Sequence, residues 1–210
     1  MDNYRGACAE INLSAIKENI LLLKERAGGK SKVLLPVKAN AYGHGILEVS
    51  TYVEREGIVD MLGTATIEEA LNLRQSGINL PILIFGFIVP RDESIDTVIS
   101  HNLSCAIGDV ESAQKISERA KLKNLKASIH LKIDTGMGRL GCRPDEALSI
   151  AEKIKDLPNI SIEGVFSHMP VSDDEHDQFN LNQIEQFARL VESLKKSLPK
   201  ETIFHFANSG

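Results

Sequence analysis

The chain alternates short apolar runs with longer stretches in which apolar residues recur every three or four positions. The short runs are rich in Ile, Val, Leu and Phe without regular polar alternation, which is typical of parallel strands covered on both faces. Seven strands are therefore predicted, at residues 33–37, 61–65, 81–87, 103–107, 128–133, 161–166 and 203–207.

The longer stretches predict helices between these strands, and residues at their ends support the assignment. The last helix has an apolar stripe that we expect to face the core, made of Leu181, Ile184, Phe187, Ala188, Val191 and Leu194. The predicted end signals are caps at Ser14 and Asp109, a capping box of Thr66 with Glu69, a stop at Gly57 and a first helical residue at Pro144.

Strand–helix alternation favours a parallel α/β fold in one domain over residues 1–210. Both a (β/α)₈ TIM-like barrel and an open doubly wound sheet fit the pattern. An active site built from many strand ends is typical of a barrel, whereas an open sheet concentrates its site at one switch point. Polar residues at or just after the carboxyl ends of five different predicted strands favour the barrel: Lys38, Thr64, Asp134, His168 and Asn208.

Composition excludes several classes of protein. The 210-residue chain is 42% hydrophobic with a net charge of −5, and it has no basic cluster that would favour a nucleic-acid partner. The longest apolar stretch, residues 80–90, is too short to span a membrane. Three separated cysteines and a charged N-terminus without a signal-peptide core predict reduced thiols in a cytoplasmic protein. The six histidines show no metal-ligand spacing, so no metal is predicted.

The first candidate for chemistry is a lysine directly after the first predicted strand. Tyr42, Gly43 and Gly45 follow Lys38, and the glycines allow the backbone to approach a ligand closely. A lysine in such a place is a nucleophile that can attach a carbonyl cofactor, although a strand-end lysine reaching to solvent is the common alternative. The segment reads Val37, Lys38, Ala39, Asn40, Ala41, Tyr42, Gly43, His44, Gly45.

The second candidate is a glycine-rich segment after the fifth predicted strand. Gly136, Gly138 and Gly141 form a G-x-G-x-x-G pattern, which raises the rival hypothesis of dinucleotide binding. That fingerprint normally follows the first strand of its unit, with an acidic residue at the end of the next strand. Here the next strand ends in Ser167 and His168, which argues against it.

Both segments resemble motifs of bacterial alanine racemases, the first being similar to their pyridoxal-phosphate attachment motif. The resemblance covers the chain from Glu10 to Ser209 and implies the N-terminal barrel of these enzymes. It also implies that the barrel's last strand and a C-terminal β domain are absent from these 210 residues. The family's second base, a tyrosine supplied across a homodimer interface, would then lie outside them.

The resemblance assigns roles to individual residues. Lys38 carries pyridoxal 5'-phosphate covalently, and Tyr42 lies beside the phosphate. Arg139 contacts the cofactor's phenolic oxygen and the amino-acid substrate. Lys132 is a carbamate in many members and fixes the arginine; a plain lysine paired with an acid such as Asp134 is the alternative.

Residues near two later strand ends complete the implied site. His168 lies beneath the cofactor, although Met169 and Pro170 depart from the commoner Phe-Ala after it. Asn208 and Ser209 belong to the phosphate-binding segment.

The implied activity is interconversion of L-alanine and D-alanine, which supplies D-alanine for the cell wall. The chain alone is expected to be inactive. Two alternatives stay open: a stand-alone cofactor-binding module, and a serine or broad-specificity racemase.

Overall fold

The computed structural model describes Gly6, residues 8–174 and residues 177–208. Seven strands form one parallel sheet in which each strand pairs with the next along the chain. Every predicted strand is confirmed to within two residues at either end. They are β1 (Leu34–Pro36), β2 (Met61–Thr64), β3 (Ile82–Phe87), β4 (Ser104–Ile107), β5 (Ala127–Lys132), β6 (Ile160–Phe166) and β7 (Ile203–His205).

Eight helices are found among the described residues, and seven of them follow the predicted pattern. The exception is α2, which occupies the segment after the first strand, where the sequence predicted no helix. The helices are α1 (Leu13–Arg26), α2 (Lys38–Tyr42), α3 (Ile46–Glu56), α4 (Ile67–Gln75), α5 (Asp92–Ser100), α6 (Val110–Leu122), α7 (Ala147–Ile154) and α8 (Gln178–Leu194).

The curled sheet has the (β/α) TIM-like architecture predicted from the sequence. A large apolar core lies between the strands and the surrounding helices. A smaller cluster lies on the other face of the sheet, where Phe166 packs with Met61, Leu83 and Ala106. In the described residues β1 and β7 form the two edges of the sheet. The strands' carboxyl ends therefore gather on one side, where the predicted site residues lie.

Helix ends confirm some predicted signals and correct others. Asp109 caps α6 through a 2.7 Å bond from the Ser112 N–H, and Gly57 ends α3 with φ 63°. The α1 cap is Asn12 rather than Ser14, because the Asn12 backbone is extended and its side chain accepts from Ala15 N. Pro144 lies in a turn before α7 rather than at its first position.

The prediction that the whole apolar stripe of α8 faces the core is wrong for Leu181, Ile184 and Ala188, which are exposed. Leu181 and Ile184 are 50% and 44% exposed, whereas Asn180 and Gln183 are buried. Asn180 Nδ2 donates to two backbone carbonyls of the preceding loop, and Gln183 Nε2 donates to a third, on Thr135. These hydrogen bonds turn the polar face of α8 inward.

Of the helices in the described parts of the chain, none has the length and apolar character needed to cross a bilayer.

Candidate functional site

Lys38 starts a left-handed helical turn at the carboxyl end of β1. Ala39, Asn40 and Ala41 have φ values of 52°, 57° and 51°, and Tyr42 has φ 54°. A left-handed conformation costs a non-glycine residue about 1–2 kcal/mol, because Cβ crowds the following carbonyl. Such backbone persists only where the surroundings fix it, and it concentrates at functional sites. We call residues 38–43 the lysine turn.

Contacts from two other elements hold the lysine turn. The Glu69 carboxylate, at the start of α4, accepts from Ala39 N through one oxygen and from Ala65 N through the other, both at 2.7 Å. Asn40 Oδ1 accepts from Ile46 N, the first residue of α3, at 2.9 Å. The turn is thus tied to its neighbours on both sides.

The predicted capping box at Thr66 is confirmed only in part. Glu69 N donates to Thr66 Oγ1 at 3.3 Å, as the motif predicts. The Glu69 carboxylate, however, bonds to Ala65 N and Ala39 N. Capping geometry alone gave no signal for the contact with the lysine turn, because the bond crosses 30 positions of sequence.

The Lys38 side chain is half-buried, and its Nζ lies 5.9 Å from the centroid of the Phe85 ring. An aromatic face attracts an ammonium group at this distance and keeps the amine close to the inner face of the sheet. Tyr42, four residues on, is 61% exposed. The lysine turn therefore carries a half-buried amine at its first residue and an exposed phenol four residues later.

Asp134 organises the glycine-rich segment, residues 134–141, which we call the glycine loop. Its carboxylate accepts from the N–H groups of Gly136, Gly138 and Arg139 at 2.9, 3.1 and 3.0 Å. Burial raises the pKa of Asp134, but these backbone bonds outweigh it, so the pKa lies below its ordinary value. An Asp-Thr-Gly sequence at a strand end is the signal that could have identified this role.

The dinucleotide-binding alternative does not fit the glycine loop. Its N–H groups point at the Asp134 carboxylate, and Cys142 then pairs with Ile133. The next helix, α7, begins only at Ala147. A dinucleotide site needs a helix N-terminus directly at the loop.

Lys132, the last residue of β5, is 8% exposed, and its Nζ lies 4.7 Å from the centroid of the Phe166 ring. Burial lowers its pKa to about 8; Asp134 opposes the shift and Arg139 adds to it. In the described parts of the chain no ion pair joins Lys132 to Asp134. The buried amine thus feels the charges of both Asp134 and Arg139 without forming a salt bridge to the Asp134 carboxylate.

His168 shows that the cations of the site share one region. Burial lowers its pKa, and the charges of Lys132, Arg139 and Lys38 lower it further. The strand ends of β1, β5 and β6 thus bring together four of the predicted site residues. Three cationic side chains therefore gather near His168 at the carboxyl end of the sheet.

Sequence reasoning missed a polar column inside the sheet below these cations. His130 Nδ1 lies 3.0 Å from His205 Nε2, and its Nε2 lies 3.3 Å from Glu163 Oε2. The His205 ring stacks on Phe166 at 4.7 Å. Burial, with the charges of His130 and Lys132, lowers the pKa of His205, so it is neutral at physiological pH.

The phosphate-binding segment predicted at the end of β7 is described only up to Asn208. Asn208 Nδ2 donates to Met169 O at 3.1 Å and so ties this segment to the loop after β6. Ser209 lies outside the described residues. This bond places Asn208 next to the His168 loop, where the sequence departs from the commoner Phe-Ala.

The side chains of this site suit an anionic small molecule. The three cations Lys38, Lys132 and Arg139 are hydrogen-bond donors, the partners that phosphate and carboxylate oxygens require. Among the described residues there is no group of three or more His, Cys, Asp or Glu able to hold a metal ion. Pyridoxal phosphate matches this set, since it has a phosphate, a phenolic oxygen and a carbonyl that a lysine can attack.

Fold and site together define the class: a TIM-like α/β barrel with a cluster of cationic side chains at its carboxyl strand ends. Within that class the chain belongs to the alanine racemase family, because residues 11–210 match the domain described as alanine racemase, N-terminal domain. Alanine racemases depend on pyridoxal 5'-phosphate.

Individual relatives agree with this family. The chain is 39% identical to alanine racemase 2 of Caldanaerobacter subterraneus subsp. tengcongensis, over all of its own length and 53% of the relative's. It is 37% identical to alanine racemase of Cutibacterium acnes, over 96% of this chain and 53% of that one. The chain spans about half the length of the curated relatives it matches.

Solved structures match the fold equally well. Alanine racemase from Clostridium difficile 630 superposes with a TM-score of 0.86 at 35% identity, over 94% of this chain and 53% of that one. A histidine racemase from Leuconostoc mesenteroides gives a TM-score of 0.83 at 26% identity, over 99% and 54%. The matched barrel therefore occurs in racemases with different names.

Proposed function

We propose that residues 1–210 are the pyridoxal-phosphate-binding barrel domain of an alanine racemase, with Lys38 as the covalent attachment point. One observation carries the proposal: a lysine on a strained left-handed turn shares an electropositive site with Lys132, Arg139 and His168. The family match over residues 11–210 supports it.

Each donor has a proposed task. Tyr42, Asn208 and Ser209 would contact the phosphate from two sides of the site. Arg139 would bind the phenolic oxygen and the substrate carboxylate, since a guanidinium matches planar anions with paired donors. His168, whose pKa is lowered by burial and further by the nearby cations, would act as a hydrogen-bonding group beneath the ring.

Lys132 is proposed as a carbamate. A buried amine with a pKa of about 8 is partly neutral near physiological pH, so it can attack carbon dioxide. The new N–C bond forms as the nitrogen loses a proton, and the product is an anion. That anion would replace a cation beside Arg139 with a partner for the guanidinium, which relieves the repulsion between them.

Racemisation of alanine needs proton transfer on both faces of the substrate's α-carbon. The bound cofactor would delocalise the negative charge that remains when the α-proton leaves. The Lys38 amine would take or return the proton on one face. The second acid is proposed to come from another part of the full-length protein, supplied across a homodimer interface. We expect little or no turnover from these residues alone.

A second candidate is racemisation of another amino acid, such as serine, or of several. It is supported by the histidine racemase that shares the fold at 26% identity. A stand-alone cofactor-binding module without racemase activity is the remaining alternative. In all of these alternatives the proposed ligands are small molecules: pyridoxal phosphate and, for the racemases, an amino acid. We place the protein in the cytoplasm, with neither nucleic acid nor membrane as partner, on the basis of its composition.

The test is titration of the chain with pyridoxal phosphate, followed by a racemisation assay with L-alanine. We expect a visible absorption band that is lost in Lys38→Ala and kept in Lys153→Ala, an exposed lysine of α7. An unchanged band in Lys38→Ala would refute the attachment point. Turnover at rates typical of enzymes would show that a second proton donor lies within these residues, with Tyr42 as the first suspect.

A further inference from the structure

We propose that Glu69 is the positioning residue of the lysine turn and that its carboxylate sets the direction in which Lys38 points. The proposal rests on the proposed function, because it takes Lys38 as the attachment residue. It concerns a side chain that the sequence placed only in a helix cap.

The geometry is a bridge between two neighbouring strand ends. Ala39 directly follows Lys38 after β1, and Ala65 directly follows β2. Glu69 Oε1 accepts from Ala39 N, and Oε2 accepts from Ala65 N, each at 2.7 Å. A carboxylate is purely an acceptor, so both of its oxygens match an N–H donor. The half-buried Glu69 side chain therefore fixes the spacing of the two strand ends.

The bond to Ala39 N controls the peptide plane between Lys38 and Ala39. That plane sets the direction in which the chain leaves Lys38, and it is where the left-handed conformation begins. Rotation of Ala39 into the right-handed region would turn this plane and weaken the bond to Glu69. At the other end of the turn, Asn40 Oδ1 holds Ile46 N at 2.9 Å. The strain of four left-handed residues is thus opposed by hydrogen bonds at both ends.

Glu68 provides a control for ordinary capping. Glu68 and Glu69 both lie in the first turn of α4, where acidic residues favour the helix dipole. Glu68 is exposed and is bonded to its own backbone and to Thr66. A capping or dipole role would be shared by the two residues, whereas the bridge to Ala39 belongs to Glu69.

The test compares Glu69→Gln with Glu68→Gln. A glutamine at 69 keeps the shape but offers one acceptor and one NH₂ group, which would face an N–H donor. Loss of a charge-assisted bond predicts an increase of about tenfold or more in amide exchange at Ala39 and Ala65. It also predicts an about tenfold slower appearance of the borohydride-trapped pyridoxyl adduct on Lys38. Glu68→Gln should change neither rate by more than about twofold.

A rescue separates positioning from general destabilisation. Glycine adopts the left-handed conformation without steric cost, so Ala39→Gly added to Glu69→Gln should recover part of the adduct rate. A Glu69→Gln variant with wild-type exchange at Ala39, equal effects of the two glutamines, or no recovery by glycine would overturn the proposal. If the wild-type chain forms no adduct, the proposed attachment fails, and amide exchange alone decides whether Glu69 holds the turn.

Discussion

The lysine turn and the glycine loop each hold predicted site residues at the end of a strand, but their backbones are stabilised in opposite ways. In the lysine turn, non-glycine residues adopt left-handed backbone and are held by side chains from elsewhere in the sequence, Glu69 above all. In the glycine loop, glycines take the positive φ values, and Asp134, at the loop's own start, supplies the anchor. The lysine turn has a strained backbone that is stabilised by a carboxylate from another element. The glycine loop has unstrained glycines and is stabilised by a carboxylate of its own.

The difference explains how each loop presents its side chain. The left-handed backbone of the lysine turn is stabilised by a contact from Glu69, so the turn becomes fixed only once α4 has packed beside it. The glycine loop forms locally, since its donors lie within five residues of the Asp134 acceptor. Adding a methyl group at Gly141 of the glycine loop should therefore destabilise the fold, whereas removing one from Ala39 of the lysine turn should stabilise it.

The largest expected effect is that of Gly141→Ala. Gly141 has φ 128°, and an added Cβ would meet Asp134 N at 2.6 Å and Ile133 C at 2.8 Å. Because backbone atoms cannot move aside cheaply, we expect a loss of about 3 kcal/mol or more in the free energy of unfolding. Urea unfolding measures it.

Gly43→Ala is the matched control within the lysine turn. Gly43 has φ 90°, and nothing lies within 4 Å of the added Cβ. Only the left-handed penalty applies, so we expect a loss of about 1–2 kcal/mol. Equal losses for the two variants would contradict the packing that distinguishes the two loops.

The second effect is the pH dependence that Lys132 gives to stability. Its pKa is about 8 in the folded chain against 10.5 as the ordinary value. Below pH 8 both states carry the charge, and folding bears the full cost of burying it. Between about pH 8 and pH 10.5 the unfolded chain holds more protons, so the free energy of unfolding rises with pH. The rise is about 3 kcal/mol in total.

Lys132→Met is the control for this pH dependence, because it fills the same space without a charge. Urea unfolding across the window, in buffers free of carbon dioxide, should show the rise in wild type and its absence in the variant. Added bicarbonate should stabilise wild type alone at neutral pH, as the carbamate forms. Parallel profiles for the two proteins would show that Lys132 is not the cause.

The smallest effect is a gain in stability. Ala39 is exposed and has φ 52°, so Ala39→Gly removes left-handed strain while losing little packing. After the extra chain entropy of glycine is subtracted, we expect a gain of about 0.5–1 kcal/mol. Ala188→Gly, at an exposed position in right-handed α8, should instead lose about 1 kcal/mol. A loss in both variants would mean that Ala39 is not strained.

The sequence predicted the strands well because their apolar runs are local signals that the parallel sheet preserves. It could not predict the lysine turn, since alanine, asparagine and tyrosine give no local reason to be left-handed. Nor could it place the Glu69 carboxylate, whose partner Ala39 lies 30 residues away.

The prediction that the apolar stripe of α8 faces the core was wrong for a related reason. Hydrophobic periodicity finds an apolar face, but which face turns inward depends on the neighbouring loops. Asn180 and Gln183 bond to the backbone of those loops, and the stripe residues Leu181 and Ile184 remain exposed. Among the site residues, the roles of Lys38, Arg139 and Lys132 came from motif resemblance, and they stay predictions.

The most direct measurement is borohydride reduction of the chain mixed with pyridoxal phosphate, followed by peptide mapping of every lysine. The account predicts one dominant pyridoxyl adduct on Lys38, because its half-buried amine lies on the lysine turn at the electropositive strand ends. Lys132 should remain unmodified because it is buried. An adduct spread over exposed lysines, or concentrated on Lys132, would contradict the account.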